Sequence, residues 1–159
     1  MLSGKINKKV VTQRAFWVLQ MIEAIEDLPI ENKNEFLQNR HNVAAAESYL
    51  RRALEALLDL GRHILAKGFA YPATEYREIA KGLFEKKVLA ENEASLLGKI
   101  AGYRNRMVHF YNEITSEELY EICHANLDEI KLLRDKMLEW LKENSKKMDK
   151  WICFRLDIR

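Results

Sequence analysis

The sequence is poor in residues that interrupt or cross-link a polypeptide. Its 159 residues include only two prolines, six glycines and two cysteines. Low proline and glycine contents argue against a loop-rich, disordered or all-β chain. The two cysteines, Cys123 and Cys153, are too few for a disulfide framework and lack the paired spacing of a zinc site. We therefore expect a helical protein with reduced thiols and with no bound metal or other cofactor.

Long apolar runs and a strong excess of one charge are also missing. No segment approaches the roughly 20 apolar residues of a membrane span, and the first residues lack the apolar core of a secretory signal. The net charge is only +2, which is too small to indicate nucleic-acid binding over a whole face. We expect a cytoplasmic protein without a membrane partner, in which any polyanion is bound locally.

What the sequence does contain is a helical spacing of its hydrophobic residues, which make up 48% of the chain. They recur at steps of three and four in five segments, near residues 11–25, 43–64, 76–84, 96–108 and 119–140. Asn32 with Glu35, and Thr115 with Glu118, resemble capping boxes at the beginnings of the second and fifth helices. The pattern predicts an all-α fold, an antiparallel up-and-down bundle of four main helices plus one short helix, over residues 1–147.

Residues 148–159 differ from the bundle and form a predicted C-terminal tail. Every second residue from Ile152 to Ile158 is apolar, and this period of two is typical of an extended strand. Such a strand could lie across the bundle, pair with a second chain or fold on a partner. The alternative is a disordered terminus.

The segment RNRMVHFY, residues 104–111, lies at the end of the fourth predicted helix. Arg104 falls on the apolar face of that helix, where a guanidinium needs a carboxylate, carbonyl groups or a bound anion. One interpretation is an ion pair with an acid of the second helix, for instance Glu47, Glu55 or Asp59. The other is a site that binds a negatively charged ligand.

His109 lies five residues after Arg104, about 140° around an ideal helix. The two side chains therefore cannot both face one small target from an unbroken helix of one chain. Either the helix ends near Val108 and the connection returns His109 to the site, or the two residues meet across a two-fold dimer interface. Tyr111 follows in the connection, where its neutral phenol is a hydrogen-bond donor or a modifiable hydroxyl. The alternative role for His109 and Tyr111 is to close the end of the bundle.

Arg104, Asn105, three further residues, His109, any residue and Tyr111 form a motif that resembles the HEPN superfamily, and most closely the HepT toxins. The helical pattern before residue 148 is also similar to that family. The resemblance implies a metal-independent ribonuclease toxin that acts as a homodimer. Arg104 and His109 would be catalytic and Asn105 would support the site. Tyr111 would accept AMP from the partner, a nucleotidyltransferase antitoxin of the MntA type.

These residue types suit RNA cleavage, because RNA carries its own nucleophile in the 2′-hydroxyl group. Without a metal, the enzyme has to move a proton and to stabilise the charge on the phosphorane oxygens. An imidazole can transfer the proton, which typically accelerates a reaction by about 10² to 10⁴ fold. A guanidinium can stabilise the charge. We expect the product to carry a 2′,3′-cyclic phosphate and the activity to persist in the presence of a chelator. The motif does not specify which RNA is cleaved. AMP on Tyr111 would block the cleft.

Two other functions fit the same residues. The bundle could hold a nucleotide or another substrate without cleaving RNA, as a non-catalytic partner of a minimal nucleotidyltransferase. It could also be a structural adaptor, in which the motif supplies an ion pair at a dimer interface. Chelator-resistant RNA cleavage that disappears in a folded, dimeric His109→Ala variant would distinguish the enzyme from both.

Overall fold

Helices dominate the computed structural model, which describes residues 4–109 and 114–149. Within these ranges the α-helices are α1 (Lys8–Glu26), α2 (Lys33–Gln38), α3 (Arg40–Phe69), α4 (Tyr76–Glu85), α5 (Glu91–His109), α6 (Ser116–Ala125) and α7 (Leu127–Glu143), and a short 3₁₀ helix spans Ser145–Lys147. The all-α helical bundle predicted from the sequence is confirmed. None of the described helices combines the length and the apolar character that a membrane span requires.

Asparagine residues break two of the predicted helices. Asn39 has an extended backbone (φ −109°, ψ 107°) between α2 and α3, and its side chain caps α3 by accepting a hydrogen bond from the N–H of His41 at 2.9 Å. The Asn39 side chain competes with helical hydrogen bonds in this way. Asn126 separates α6 from α7, and its side chain makes no cap hydrogen bond but donates to the Glu129 carboxylate at 2.9 Å. The apolar spacing continues across both breaks, so it indicated single helices.

The predicted helix starts at Asn32 and Thr115 are present. The side chain of Asn32 accepts a hydrogen bond from the N–H of Glu35 at 3.1 Å, and the hydroxyl of Thr115 accepts one from the N–H of Glu118 at 3.1 Å. In the second of these caps, the Glu118 carboxylate pairs with Arg106 of α5. The cap of α6 is thereby connected to the helix that carries the motif.

The long helix α3 is central and packs against α1, α4, α5, α6 and α7. At Gly61 of α3, a β-carbon would lie only 2.9 Å from Cγ2 of Ile79 and 3.0 Å from Cδ1 of Leu83. Because Gly61 has no side chain, α4 can lie directly on α3 at this point. The contact sets the position of α4, whose first residue is Tyr76.

One arginine lies in the core. Arg134 of α7 is 3% exposed and is the only buried charged residue in the described part of the chain. Its Nε donates a hydrogen bond to the carbonyl of Ala15 at 2.8 Å, and its Nη1 donates to Asp135 at 2.7 Å. Burial lowers the pKa of Arg134, and Asp135 opposes this change. Arg134 therefore joins α7 to α1.

Residues 145–149 are joined to the beginning of the chain. The N–H of Ile6 donates to the carbonyl of Lys147 at 2.8 Å, and the N–H of Asp149 donates to the carbonyl of Ile6 at 2.9 Å. These bonds form a parallel bridge between Ile6 and the buried Met148. Residues 150–159 lie outside the described residues, so the extended tail and its boundary at residue 148 stay predictions.

Candidate functional site

The predicted catalytic residues lie near the C-terminal end of α5 and line one groove. Arg104, Asn105 and His109 contribute to this groove, which has a volume of about 580 Å³. The rest of its lining comes from Arg62 of α3 and from residues 74–77 at the beginning of α4. We call it the Arg104 groove. Helices that are distant in the sequence thus form one concave surface around the motif.

The helix that carries the motif continues to His109. Arg104 and His109 are therefore separated by about 140° around an unbroken helix, the arrangement for which the sequence predicted a meeting across a dimer interface. Both residues nevertheless line the Arg104 groove. A single chain supplies both residues to one surface, and the contribution of a second chain stays a prediction.

Arg104 is partly paired with an acid of its own chain. Its Nη2 donates to Oε1 of Glu55 at 3.3 Å, and the same oxygen accepts a hydrogen bond from Arg51 at 3.4 Å. Both distances exceed the length of about 2.7–2.9 Å that is typical of charge-assisted hydrogen bonds. The buried Nε of Arg104 has no hydrogen-bond partner among the described residues. The ion pair considered from the sequence therefore forms with Glu55 and leaves part of the guanidinium unused.

An aromatic ring also contacts Arg104. The guanidinium carbon of Arg104 lies over the ring of Tyr76, 4.7 Å from its centroid, and that of Arg62 lies over the same ring at 5.3 Å. Cations within about 6 Å of a ring centroid are attracted to its face. Arg62 also donates a hydrogen bond to Asp59 at 3.1 Å. Two guanidinium groups and a half-buried tyrosine thus form one end of the Arg104 groove.

Arg104 also lines a second groove of about 660 Å³, which lies between α3, α5 and the beginning of α6. Arg106 lines this groove too, and its two terminal nitrogens donate to the Glu118 carboxylate at 2.7 and 2.9 Å. The hydrogen bond and the charge of Arg106 lower the pKa of Glu118. Arg106 is thus bound firmly to α6, whereas Arg104 lies between the two grooves with longer contacts.

Comparison with known protein families identifies the chain. A sequence model of the ribonuclease HepT-like family matches residues 18–137 of the 159-residue chain. The chain belongs to the ribonuclease HepT-like family. The matched region contains all the residues that line the Arg104 groove. No protein among the curated sequences matches the chain.

Solved structures that are similar to this HepT-like protein include toxins with antitoxins. A tri-AMPylated Shewanella oneidensis HEPN toxin in complex with MNT antitoxin has a TM-score of 0.73 and 18% identity, over 82% of this chain and 97% of that chain. A toxin–antitoxin structure with AMP-PNP has a TM-score of 0.71 and 18% identity, over 80% and 97% of the two chains. YutE of Bacillus subtilis, a cytosolic protein of unknown function, has a TM-score of 0.74 and 17% identity, over 92% and 99%. At these identities the likeness shows the fold alone.

The structure does not test two of the predictions about the HepT-like site. Tyr111, the predicted acceptor of AMP, lies outside the described residues, and its role stays a prediction. Within residues 4–109 and 114–149, no group of three or more His, Cys, Asp or Glu side chains is arranged to hold a metal ion. That finding does not decide whether the reaction needs a metal, so metal independence also stays a prediction.

Sequence reasoning did not identify the groove residues that lie outside the motif, above all Tyr76 and Arg62. The apolar spacing assigns Tyr76 to the core-facing side of the third predicted helix, and Tyr76 does pack against the core. Nothing in its local sequence indicates a further contact with Arg104. That contact arises because α4 packs against both α3 and α5.

Proposed function

We propose that this HepT-like protein is a metal-independent endoribonuclease, the toxin of a toxin–antitoxin pair. The observation that carries the proposal is the position of Arg104, Asn105 and His109 along one groove, in a chain that belongs to a ribonuclease family. The weak pairing of Arg104, whose Nη2 donates to Glu55 at 3.3 Å, also supports it. A phosphate oxygen is a stronger acceptor that could replace such a long contact.

In the proposed reaction, the 2′-hydroxyl of a ribose attacks the adjacent phosphorus atom. His109 accepts the hydroxyl proton while the bond between the 2′-oxygen and phosphorus forms, and Arg104 stabilises the negative charge on the non-bridging oxygens. The bond to the 5′-oxygen then breaks, and this oxygen takes a proton from a protonated imidazole or from water. The products are a 2′,3′-cyclic phosphate and a 5′-hydroxyl.

We expect the active form to be a homodimer. His109 is exposed at the end of α5, where a two-fold axis could bring it next to the Arg104 groove of a second chain. Two copies of Arg104 and His109 would then concentrate positive charge in one cleft, although the net charge of the chain is only +2. The half-buried Asn105 would support the site by hydrogen bonding to the ribose or to the phosphate.

The proposed partner is an MntA-type nucleotidyltransferase antitoxin, and both proteins would act in the cytoplasm. The support is the similar fold of a tri-AMPylated HEPN toxin in complex with MNT antitoxin. In the proposed modification, the phenol oxygen of Tyr111 bonds to the α-phosphorus of ATP, pyrophosphate leaves, and the phenol proton passes to a base. The added phosphate would compete with RNA for Arg104 and repel its backbone.

RNA cleavage in the presence of EDTA tests the proposed activity. Wild-type protein should produce fragments that end in a 2′,3′-cyclic phosphate, and His109→Ala should lower the rate about 100-fold or more. His41→Ala is the matched control, because His41 is exposed and lines neither groove. Circular dichroism and size-exclusion chromatography establish that all three proteins are folded and have the same oligomeric state.

Substrate chemistry provides a second arm of this test. An oligonucleotide with 2′-deoxyribose at every position should resist cleavage, because it lacks the nucleophile. Cleavage that needs an added divalent metal, or equal cleavage by wild type and His109→Ala, would contradict the proposal. Nucleotide binding without cleavage under any condition would favour a non-catalytic binding module.

A further inference from the structure

The Arg104 guanidinium group lies over the face of the Tyr76 ring. The distance of 4.7 Å between the guanidinium carbon and the ring centroid lies within the range of about 6 Å for cation–π contacts. A cation–π contact attracts the delocalised charge of the guanidinium, whereas a bidentate carboxylate accepts two of its N–H groups. Tyr76 can therefore hold Arg104 and leave more of its N–H groups available to a phosphate than a carboxylate would.

The beginning of α4 fixes the position of Tyr76. The Glu78 carboxylate accepts hydrogen bonds from the N–H of Glu75 at 3.0 Å and from the N–H of Thr74 at 2.7 Å. Together with the Glu75 side chain these bonds form a capping box, and they lower the pKa of Glu78. The contact of α4 with Gly61 of α3 holds the same helix from its buried side. The ring is thus held by local hydrogen bonds and by helix packing.

Glu55 is a weak competitor for Arg104. The Glu55 oxygen that accepts from Arg104 at 3.3 Å also accepts from Arg51 at 3.4 Å. A phosphate that took Arg104 away from Glu55 would therefore leave this carboxylate paired with Arg51. By contrast, Arg62, the second cation over the Tyr76 ring, is paired with Asp59.

From this geometry we infer that Tyr76 is a positioning residue, which holds Arg104 in the orientation that binds an RNA phosphate. The inference rests on the proposed function and adds a residue of α4 to a site that the motif confines to α5. Tyr76 acts through Arg104 and has no chemical step of its own. Its effect on RNA affinity should therefore require its aromatic ring, and it should be seen only when Arg104 is present.

RNA affinity provides a readout that does not depend on cleavage. The probe is a fluorescent single-stranded RNA with 2′-O-methyl groups at every position, which cannot be cleaved by 2′-hydroxyl attack. Tyr76→Leu should raise its Kd about tenfold, and Tyr76→Phe should restore most of the affinity because it retains the ring. Tyr103→Leu is the matched control, because Tyr103 lies under Lys99 on the same helix as Arg104 and does not line the groove.

A double-mutant cycle tests whether Tyr76 acts through Arg104. Tyr76→Leu should have little further effect on Kd in the Arg104→Ala background, because the group that it positions is missing. Thermal melts of each variant report whether it is folded. If Tyr76→Leu is unfolded, fluorinated phenylalanines at position 76 replace it, because they keep the size of the ring and weaken the attraction of its face for a cation.

The outcomes separate this inference from the proposed function. Equal Kd values for Tyr76→Leu and Tyr76→Phe, or an undiminished Tyr76→Leu effect in the Arg104→Ala background, would overturn the role of Tyr76. If wild type binds the probe and does not cleave unmodified RNA, the proposed function fails and the Kd values still decide the role of Tyr76. If wild type does not bind the probe, both fail.

Discussion

Arg104 and Arg106 lie two residues apart on α5, and they use their guanidinium groups differently. Arg106 donates to both oxygens of Glu118 at 2.7 and 2.9 Å, in the bidentate geometry of a strong ion pair. Arg104 donates to one oxygen of Glu55 at 3.3 Å, shares that oxygen with Arg51, and has a buried Nε without a partner in the described part of the chain. Arg104 also makes a cation–π contact with the ring of Tyr76, whereas Arg106 is held by a carboxylate.

We infer that the difference separates a structural arginine from one that is available to a ligand. An arginine whose donors are satisfied within the fold has little left for a substrate, and removing it affects stability first. An arginine that is held mainly by an aromatic ring keeps more of its donors, and removing it should affect binding first. The Arg104 side chain is 17% exposed and that of Arg106 is 31% exposed, so the more buried arginine is the one with the longer ion-pair contact.

The largest predicted effect is the difference in RNA cleavage rate between the Arg104→Lys and Arg106→Lys variants. Arg104→Lys should reduce RNA cleavage about 100-fold, because an ammonium group cannot reproduce the planar donors that stabilise the transition-state charge. Arg106→Lys should change the cleavage rate only a few-fold. Single-turnover rates in EDTA, with protein in excess over RNA, make this measurement. Similar losses in the two variants would remove the distinction between these arginines.

Arg134 is a third case, because its Nη2 also lacks a partner among the described residues although it lies outside both grooves that Arg104 lines. Arg134→Ala should lower the free energy of unfolding by about 2 kcal/mol, since it removes two hydrogen bonds of a buried charged group. Urea denaturation measures this change. Arg134→Met keeps most of the apolar stem and should recover part of the loss.

RNA cleavage by these Arg134 variants, measured below their unfolding transitions, should equal that of wild type. An unpartnered buried donor is by itself no sign of a site. A folded Arg134→Ala protein with a strongly reduced cleavage rate would mean that the unpartnered nitrogen, and not the groove, is the better indicator of function.

A smaller effect should come from reversing the Arg106–Glu118 pair. Arg106→Glu should destabilise the protein by about 1 kcal/mol, because it places two carboxylates opposite each other at a partly exposed site. Adding Glu118→Arg to the same chain should recover part of this loss by restoring an ion pair between α5 and α6. Chemical denaturation of the two single variants and the double variant measures the coupling. Additive losses would show that the pair contributes nothing to stability.

The smallest effect is the pH dependence of that pair. Arg106 lowers the pKa of Glu118 below its ordinary value of 4.5, so the unfolded chain binds this proton more readily than the folded one. The stabilisation is fully present above pH 4.5 and is lost as the pH falls through the lower pKa of the folded state. The difference in unfolding free energy between wild type and Arg106→Gln, about 0.5 kcal/mol at neutral pH for an exposed pair, should therefore shrink in acid. A difference that stays constant down to about pH 3 would contradict this account.

Much of the fold could be predicted from the spacing of apolar residues. The core positions Val11, Leu50 and Leu97 follow from their place on helical stripes, and all three are fully buried. The breaks at Asn39 and Asn126 could not be predicted with the same rule, because a one-residue change in backbone direction leaves the spacing intact. An asparagine can indicate the beginning of a helix, but the apolar spacing that continues past it predicts an unbroken helix.

The candidate site was predictable only in the part that lies on one helix. The motif placed Arg104, Asn105 and His109 near the end of α5, and all three line the same groove. The sequence also contains a signal for Arg134, since it lies four residues after Ile130 and three before Met137 on an apolar face. Tyr76 carried no such signal, because its contact with Arg104 depends on how α4 lies relative to α5.

Three features follow from the sequence alone: which faces of the helices are apolar, where the charged motif lies along the chain, and that an arginine on an apolar face needs compensation. The packing of the helices is what pairs Arg104 with a shared Glu55 oxygen and a Tyr76 ring, and Arg106 with both oxygens of Glu118. Periodicity records which side of a helix avoids water, whereas the strength of an ion pair depends on distances between residues that are remote in the chain. Those distances are set by the packing of whole helices.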